Sequence, residues 1–190
     1  RGYDPVTGKL MWNWDASNPD DTAPVLDGKT YTNNSPNSWG VSSVDEKLGM
    51  VYIPMGNETP DTWGGKRNPN GEKYNSAIVA LDLATGKVRW AYQTVHHDIW
   101  DMDIGGQPSL VDIDTPKGKV PSVVATTKRG DIYVIDRRDG SLVVPAPEKP
   151  VPTNNPAAGD TLSPTQPFSA LTFLPERNIS EADMWGTTPF

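Results

Sequence analysis

Ten consecutive positions read Thr94-Val95-His96-His97-Asp98-Ile99-Trp100-Asp101-Met102-Asp103, gathering two imidazoles, three carboxylates and an indole. They follow a strand-like segment, and a strand end is where a β-rich protein exposes reactive groups on a rigid support. A carboxylate in such a place can act as a general base once partial burial lifts its pKa towards working pH. Asp101 is the candidate for that role; by residue type alone it could equally cap a turn or pair with a cation. His96, His97 and Asp98 raise the question of a metal site. Adjacent residues on an extended strand point to opposite faces, which argues against one shared ion. Their spacing matches no zinc signature, and the chain has no cysteine. His97 is assigned to the substrate side and His96 to a structural role.

Other polar groups stand apart from this run. Asn57, Glu58 and Thr59, after a strand ending at Pro54, offer the oxygen donors that calcium or magnesium prefers. Lys128 sits in Thr126-Thr127-Lys128-Arg129-Gly130, between two strand-like stretches, where an ordinary solvated lysine is the plain reading. Trp39 lies in a turn-rich segment, residues 34–40, where an indole has no local packing reason.

The elements that must position these residues are β-strands. The 190 residues are 35% hydrophobic with 19 Pro and 17 Gly, a mix that favours a turn-rich β protein. Net charge is −7 and the 17 Lys and Arg are scattered, so nucleic acid is not an expected partner. The missing cysteines exclude disulfides and thiolate catalysis. No apolar run approaches the roughly 20 residues that a membrane helix needs.

Three segments share one design: an Asp closes a strand, a Gly makes the turn, and a second strand follows. They are Asp4-Pro5-Val6-Thr7-Gly8 leading to Trp12, Asp82-Leu83-Ala84-Thr85-Gly86 leading to Trp90, and Asp136-Arg137-Arg138-Asp139-Gly140, which lacks the Trp. Alternation in residues 77–81 and 131–135 predicts hairpins, with further strands at 49–54 and 120–126. The Asp positions are 78 and then 54 residues apart (82 − 4 and 136 − 82). Propeller blades run about 40–50 residues, so these are unequal blades with insertions. Residues 66–72 read as a polar loop. Nine of the 19 prolines fall in residues 145–190, predicting an extended, loop-dominated insertion, with a short helix near Ser180 to Trp185. Three or four blades cannot close a ring, so an internal piece of a larger propeller is expected, inactive alone and poorly soluble through its open edges.

Trp100-Asp101-Met102-Asp103 resembles the Trp-Asp-x-Asp signature of quinoprotein dehydrogenases, which depend on pyrroloquinoline quinone (PQQ). The Asp-to-Trp repeat resembles the tryptophan-docking motif of their eight-bladed propellers. Residues 95–103, 144–152 and 182–186 are similar to the membrane-bound glucose dehydrogenase branch. The resemblance implies one periplasmic propeller domain over residues 1–190, with its membrane anchor outside them. It implies that Asp101 takes the substrate hydroxyl proton and that Trp39 forms the floor under the quinone. Lys128 then contacts the quinone carbonyls, Asn57 and Thr59 hold a calcium or magnesium ion, and Thr59 also borders the quinone. The implied reaction is oxidation of D-glucose and other aldoses to the lactone, with ubiquinone as electron acceptor. Two alternatives stay open: a quinoprotein acting on quinate or a polyol, and a non-catalytic propeller scaffold. A scaffold has no reason to gather Trp39, Asp101 and Lys128 in one place.

Overall fold

The computed structural model describes residues 1–26, 28–184 and 186. The strands, in chain order, are β1 (Gly2–Tyr3), β2 (Leu10–Trp12), β3 (Ser43–Asp45), β4 (Met50–Pro54), β5 (Ala77–Asp82) and β6 (Val88–Gln93). They continue with β7 (Ser109–Thr115), β8 (Gly118–Thr126), β9 (Asp131–Asp136), β10 (Glu148–Pro150), β11 (Thr165–Pro167) and β12 (Leu171–Thr172). One helical turn, α1 (Pro69–Glu72), and a 3-10 turn (Glu181–Asp183) complete the regular structure. No helix among the described residues is long and apolar enough to cross a membrane.

Two four-stranded antiparallel meanders result, β3-β4-β5-β6 and β7-β8-β9-β12, each with the topology of a propeller blade. The β1-β2 hairpin carries the same Asp-turn-Trp motif as β5-β6 and represents part of a further blade. The sheets are open, as an arc of a larger ring must be.

Each predicted turn forms by the same local chemistry. Asp4 Oδ1 accepts from the amides of Val6 and Thr7, and Asp82 Oδ1 from those of Ala84 and Thr85. Gly8 and Gly86 close these turns at φ +69° and +71°, a region that a side chain enters only with strain. The tryptophans then lock one repeat to the next. Trp12 packs against Gly86 and donates Nε1–H to the Leu83 carbonyl at 3.0 Å. Trp90 repeats the arrangement one blade on, against Gly140 and with the Arg137 carbonyl at 3.2 Å. A buried indole removes about 150–250 Å² from water, an upper estimate of about 4–6 kcal/mol for each dock.

The first sheet has a hydrophobic cluster on both sides. Met50, Tyr52, Ile78, Ala80 and Trp90 meet Val123, Ala125, Tyr133 and Ile135 of the second sheet. Ala77, Val79 and Leu81 meet Trp12, Ala16 and Met55 on the opposite side. All of Ala77 to Leu81 are therefore buried, so the alternation that predicts the hairpin does not correspond to one buried and one exposed face. A blade flanked by blades has no solvent face.

Other expectations need adjustment. Residues 66–72 contain α1, because Asn68 caps it through the amides of Asn70 and Gly71 and Pro69 stands at its first position. The third hairpin reduces to a single bridge, Ile135 to Leu142. Within the proline-rich stretch, β10 pairs with β11 and Leu171–Thr172 rejoins the second sheet against β9. The short helix expected near Ser180 is the 3-10 turn, and Trp185 lies outside the described residues.

Candidate active site

Residues 94–108 leave the end of β6 and return to the start of β7 as a looped connection. Two of its residues have left-handed backbone, His97 at φ +44° and Asp101 at φ +58°. For a non-glycine residue that conformation costs on the order of 1–2 kcal/mol, and it is held only where surroundings enforce it. The two histidines do diverge. The cause is the turn at His97 and not strand alternation, because the segment is not extended.

Three separated parts of the chain converge beside this loop. Lys128, in the turn between β8 and β9, places Nζ 2.8 Å from Asp101 Oδ2 and 2.8 Å from Asp103 Oδ2. The Lys128 ammonium also lies 5.6 Å from the ring centroid of Trp39. Trp39 in turn donates Nε1–H to Asp103 Oδ2 at 3.0 Å. The hydrogen bonds to Asp101 and Asp103 hold Lys128 above the usual lysine pKa, so it is a standing cation. Trp39, Asp101 and Lys128 are thus brought together, and Asp103 is the piece that joins them.

Asp103 was not singled out from sequence. It is nearly buried, and its Oδ1 accepts the Asn57 amide at 2.9 Å while Oδ2 serves both Trp39 and Lys128. Its signal was the second Asp of Trp100-Asp101-Met102-Asp103. Asp98, which the sequence offers only as a third member of a possible metal group with His96 and His97, has a different place. It is fully buried, and its carboxylate accepts from Ser76 Oγ and from the amides of Trp100 and Met102.

The remaining candidates are placed differently. Asn57 is buried; its amide group donates to the carbonyls of Asp61 at 2.7 Å and Asp98 at 2.9 Å, and its Oδ1 accepts the Glu58 amide at 3.1 Å. Thr59 is exposed and makes no side-chain hydrogen bond among the described residues. Glu58, offered by sequence as a further oxygen donor, turns away towards α1. It is 3% exposed, accepts the Asn68 amide at 2.8 Å, and lies against Gly71. Both ring nitrogens of His97 are engaged, with Glu72 at 2.8 Å and Asp160 at 2.8 Å. With both nitrogens engaged, a sugar hydroxyl bonds a His97 nitrogen only by displacing one of those carboxylates. His96 bonds Gln93 and Glu148, so the two histidines tether the proline-rich arm from both sides.

The model of the PQQ "Glucose/ethanol/alcohol dehydrogenase, beta-propeller domain" family matches residues 1–190. The chain belongs to this family. It is 55% identical over 190 residues to the quinoprotein glucose dehydrogenase of Escherichia coli (strain K12), covering all of this chain and 24% of that protein. It is 53% identical over 192 residues to the enzyme of the same name from Gluconobacter oxydans (strain 621H), again covering 24% of it. Among solved structures, a europium-containing methanol dehydrogenase superposes with a TM-score of 0.62 at 27% identity, over 88% of this chain and 32% of that one. The quinohemoprotein alcohol dehydrogenase of Comamonas testosteroni gives 0.60 at 25% identity, over 88% and 27%. The chain therefore spans about a quarter of the length of these curated relatives.

The residues fit the cofactor of a PQQ family. Trp39 is 59% exposed although its N–H is tied down, so its indole is fixed in place and still open. A β-carbon on Gly105 would collide with its six-membered ring, so that position admits only glycine beneath the platform. An accessible aromatic plate with an adjacent cation suits a flat, electron-poor quinone. For a divalent ion the donors are fewer. No group of three or more His, Cys, Asp or Glu among the described residues is placed to hold a metal. Asn57 Oδ1 and the Asp101 carboxylate are hard oxygens of the right type, and further ligands would come from outside these residues.

Proposed function

We propose that this chain supplies the base, the quinone platform and the polarising lysine of a PQQ-dependent sugar dehydrogenase that oxidises D-glucose and related aldoses to the lactone. The observation that carries this reading is the convergence of Asp101, Lys128 and Trp39 through Asp103. The substrate follows from relatives between 45% and 55% identical that are named quinoprotein glucose dehydrogenases. Relatives named for glycerol and for quinate or shikimate stand at 44% and 42%.

When bound, pyrroloquinoline quinone supplies a two-electron acceptor. Oxidation at the anomeric carbon removes a hydride from C1 and a proton from O1, leaving the lactone carbonyl. Asp101 takes the proton, and its 45% exposed side chain gives the sugar access. Lys128 would offer its positive charge to an acceptor carbonyl, as an oxyanion hole does. Trp39 would give the quinone an aromatic face to rest on, and Asn57, with Thr59 beside it, would supply oxygens to a calcium or magnesium ion. His97 enters this reading as the tie between the arm and the loop. We further place the whole protein at the periplasmic face of the inner membrane, anchored by a segment outside these residues and passing electrons to ubiquinone.

The test uses the full-length parent prepared without cofactor. Dye reduction with glucose should require PQQ together with calcium or magnesium, and Asp101→Asn should lower it by roughly 10²–10⁴-fold. Activity on quinate or glycerol but not glucose would change the substrate and keep the site. Full turnover in Asp101→Asn would remove the base assignment.

A further inference from the structure

The strained base needs a support. Asp101 sits at φ +58°, and both amides beside it in sequence point to one group. That group is Asp98. Its Oδ1 accepts the Trp100 amide at 2.9 Å and its Oδ2 accepts the Met102 amide at 2.8 Å. The loop therefore wraps around a carboxylate and pushes the residue between those amides outward. Asp98 is itself fixed from two sides. Ser76 Oγ donates to Oδ2 at 2.5 Å, and the Asn57 amide group donates to the Asp98 carbonyl at 2.9 Å.

Ser76 is rigidly placed as well. It is fully buried at φ +44°, its amide donates to the Gly56 carbonyl, and its carbonyl accepts from both the amide and the hydroxyl of Thr94. It thus belongs to the backbone frame where β5 begins. A chain of contacts runs from that frame through Ser76 and Asp98 to the two amides flanking Asp101. Asp98 is 0% exposed and lies outside the hydrogen bonds of Lys128, which go to Asp101 and Asp103, so it has no access to a substrate.

We propose that Asp98 is the positioning residue for Asp101, holding the proposed base in its left-handed conformation by accepting the amides on either side of it. This rests on the reading of Asp101 as the base. A carboxylate is required because both of its oxygens accept. An amide in its place would present N–H to Met102 N–H or to Trp100 N–H, and one flank of the loop would be released.

The test compares Asp98→Asn, Asp101→Asn and the double variant in the PQQ-loaded, full-length parent. Misplacing a reacting group by about 1 Å can cost about 100-fold in rate, so Asp98→Asn should lower kcat by roughly 10- to 100-fold. KM for glucose and the Kd for PQQ should stay within about threefold. In the Asp101→Asn background the same change should alter residual turnover by less than about twofold, since a residue acting only through Asp101 has nothing left to position. Hydrogen exchange gives a reading free of catalysis. Amide protection of residues 99–103 should fall by about tenfold or more while that of β5 and β6 is kept. Unchanged kcat, unchanged protection, or an equal loss in both backgrounds overturns the proposal. Full turnover in Asp101→Asn alone defeats the base reading instead, a result recognisable without Asp98→Asn. Should Asp98→Asn fail to fold, Ser76→Ala removes one support. Wild-type kcat and wild-type exchange in Ser76→Ala then also overturn the proposal, whereas a several-fold fall in kcat with faster exchange of 99–103 upholds it.

Discussion

Asparagine at position 103 is the sharpest perturbation of the candidate site, because one carboxylate there serves three donors. Asp103 Oδ1 takes the Asn57 amide at 2.9 Å, and Oδ2 takes Trp39 Nε1 at 3.0 Å and Lys128 Nζ at 2.8 Å. Asp103→Asn keeps the shape but turns one oxygen into a donor. With its carbonyl kept towards Trp39 and Lys128, the new NH₂ faces the Asn57 N–H, and a buried amide loses its acceptor at a cost of about 1–3 kcal/mol. Trp39 then bonds a neutral oxygen instead of a charged one, a loss of about 1 kcal/mol. The Lys128 side chain is 38% exposed, so its lost ion pair is discounted for solvent to about 0.5 kcal/mol. Together these come to about 3 kcal/mol, or roughly a hundredfold in the population of the assembled site. The apparent Kd for PQQ should rise by up to that factor, since only the assembled state binds. Titration of the cofactor-free parent with PQQ, followed by quenching of tryptophan fluorescence, measures it directly. A Kd within threefold of wild type, in a variant whose circular dichroism is unchanged, refutes the claim that Asp103 assembles the site.

Three further outcomes follow from the same contacts. Gly140→Ala, at φ +80° and packed against Trp90, should destabilise the parent by about 2–4 kcal/mol, against about 1 kcal/mol for Gly49→Ala, which has open space around it. Equal shifts in the urea midpoint would show that docking contributes nothing. Burial pushes the Glu58 carboxyl up from its usual value, with one of its oxygens unpartnered. A carboxyl raised by folding stabilises most below its unfolded pKa, and that contribution fades as pH rises through the folded pKa. Glu58→Gln should therefore gain stability relative to wild type as pH climbs from about 4.3, the unfolded value. A difference flat between pH 4 and 8 would contradict this. His97→Ala leaves Glu72 and Asp160 without their shared partner and should expose residues 151–163 to limited proteolysis, at a local cost of about 1–3 kcal/mol. Unchanged cleavage together with a raised KM for glucose would return His97 to the substrate side.

The parts of the fold legible in the sequence are those whose cause is local. Asp4, Asp82 and Asp136 each close a strand with a turn that their own oxygens cap, and the glycines four residues later supply the positive φ. Trp12 and Trp90 follow at fixed spacing, so the docking pattern is visible in the chain. What stayed hidden has non-local causes. β7 shows no clean pattern because Asp112 and Asp114 alternate with half-exposed residues on an edge, and it becomes a strand only by pairing with β8. β12 is two residues long and exists because β9 offers it a free edge. Burial on both faces of β5 follows from having a blade on either side, which no window of five residues contains.

The site divides along the same line, and the division explains which residues were found. Asp101, Lys128 and Trp39 are legible through the resemblance to the quinoprotein pattern, and each keeps polar or aromatic surface open outside the strands, where a working residue must meet its ligand. Asp98 and Asp103 do the opposite. Each turns its carboxylate inward: Asp98 onto the nearby amides of Trp100 and Met102 and onto Ser76, 22 positions away, and Asp103 onto Lys128, Asn57 and Trp39, 25 to 64 positions away. Buried carboxylates of this kind are costly unless every oxygen is satisfied, so their presence implies a geometry worth holding. Here that geometry is a base at φ +58° and a lysine shared between two acids, neither of which the chain would adopt unaided. The inward acids are thus the complement of the outward ones. A run holding three aspartates within six residues should be read as one working group and two that build its seat.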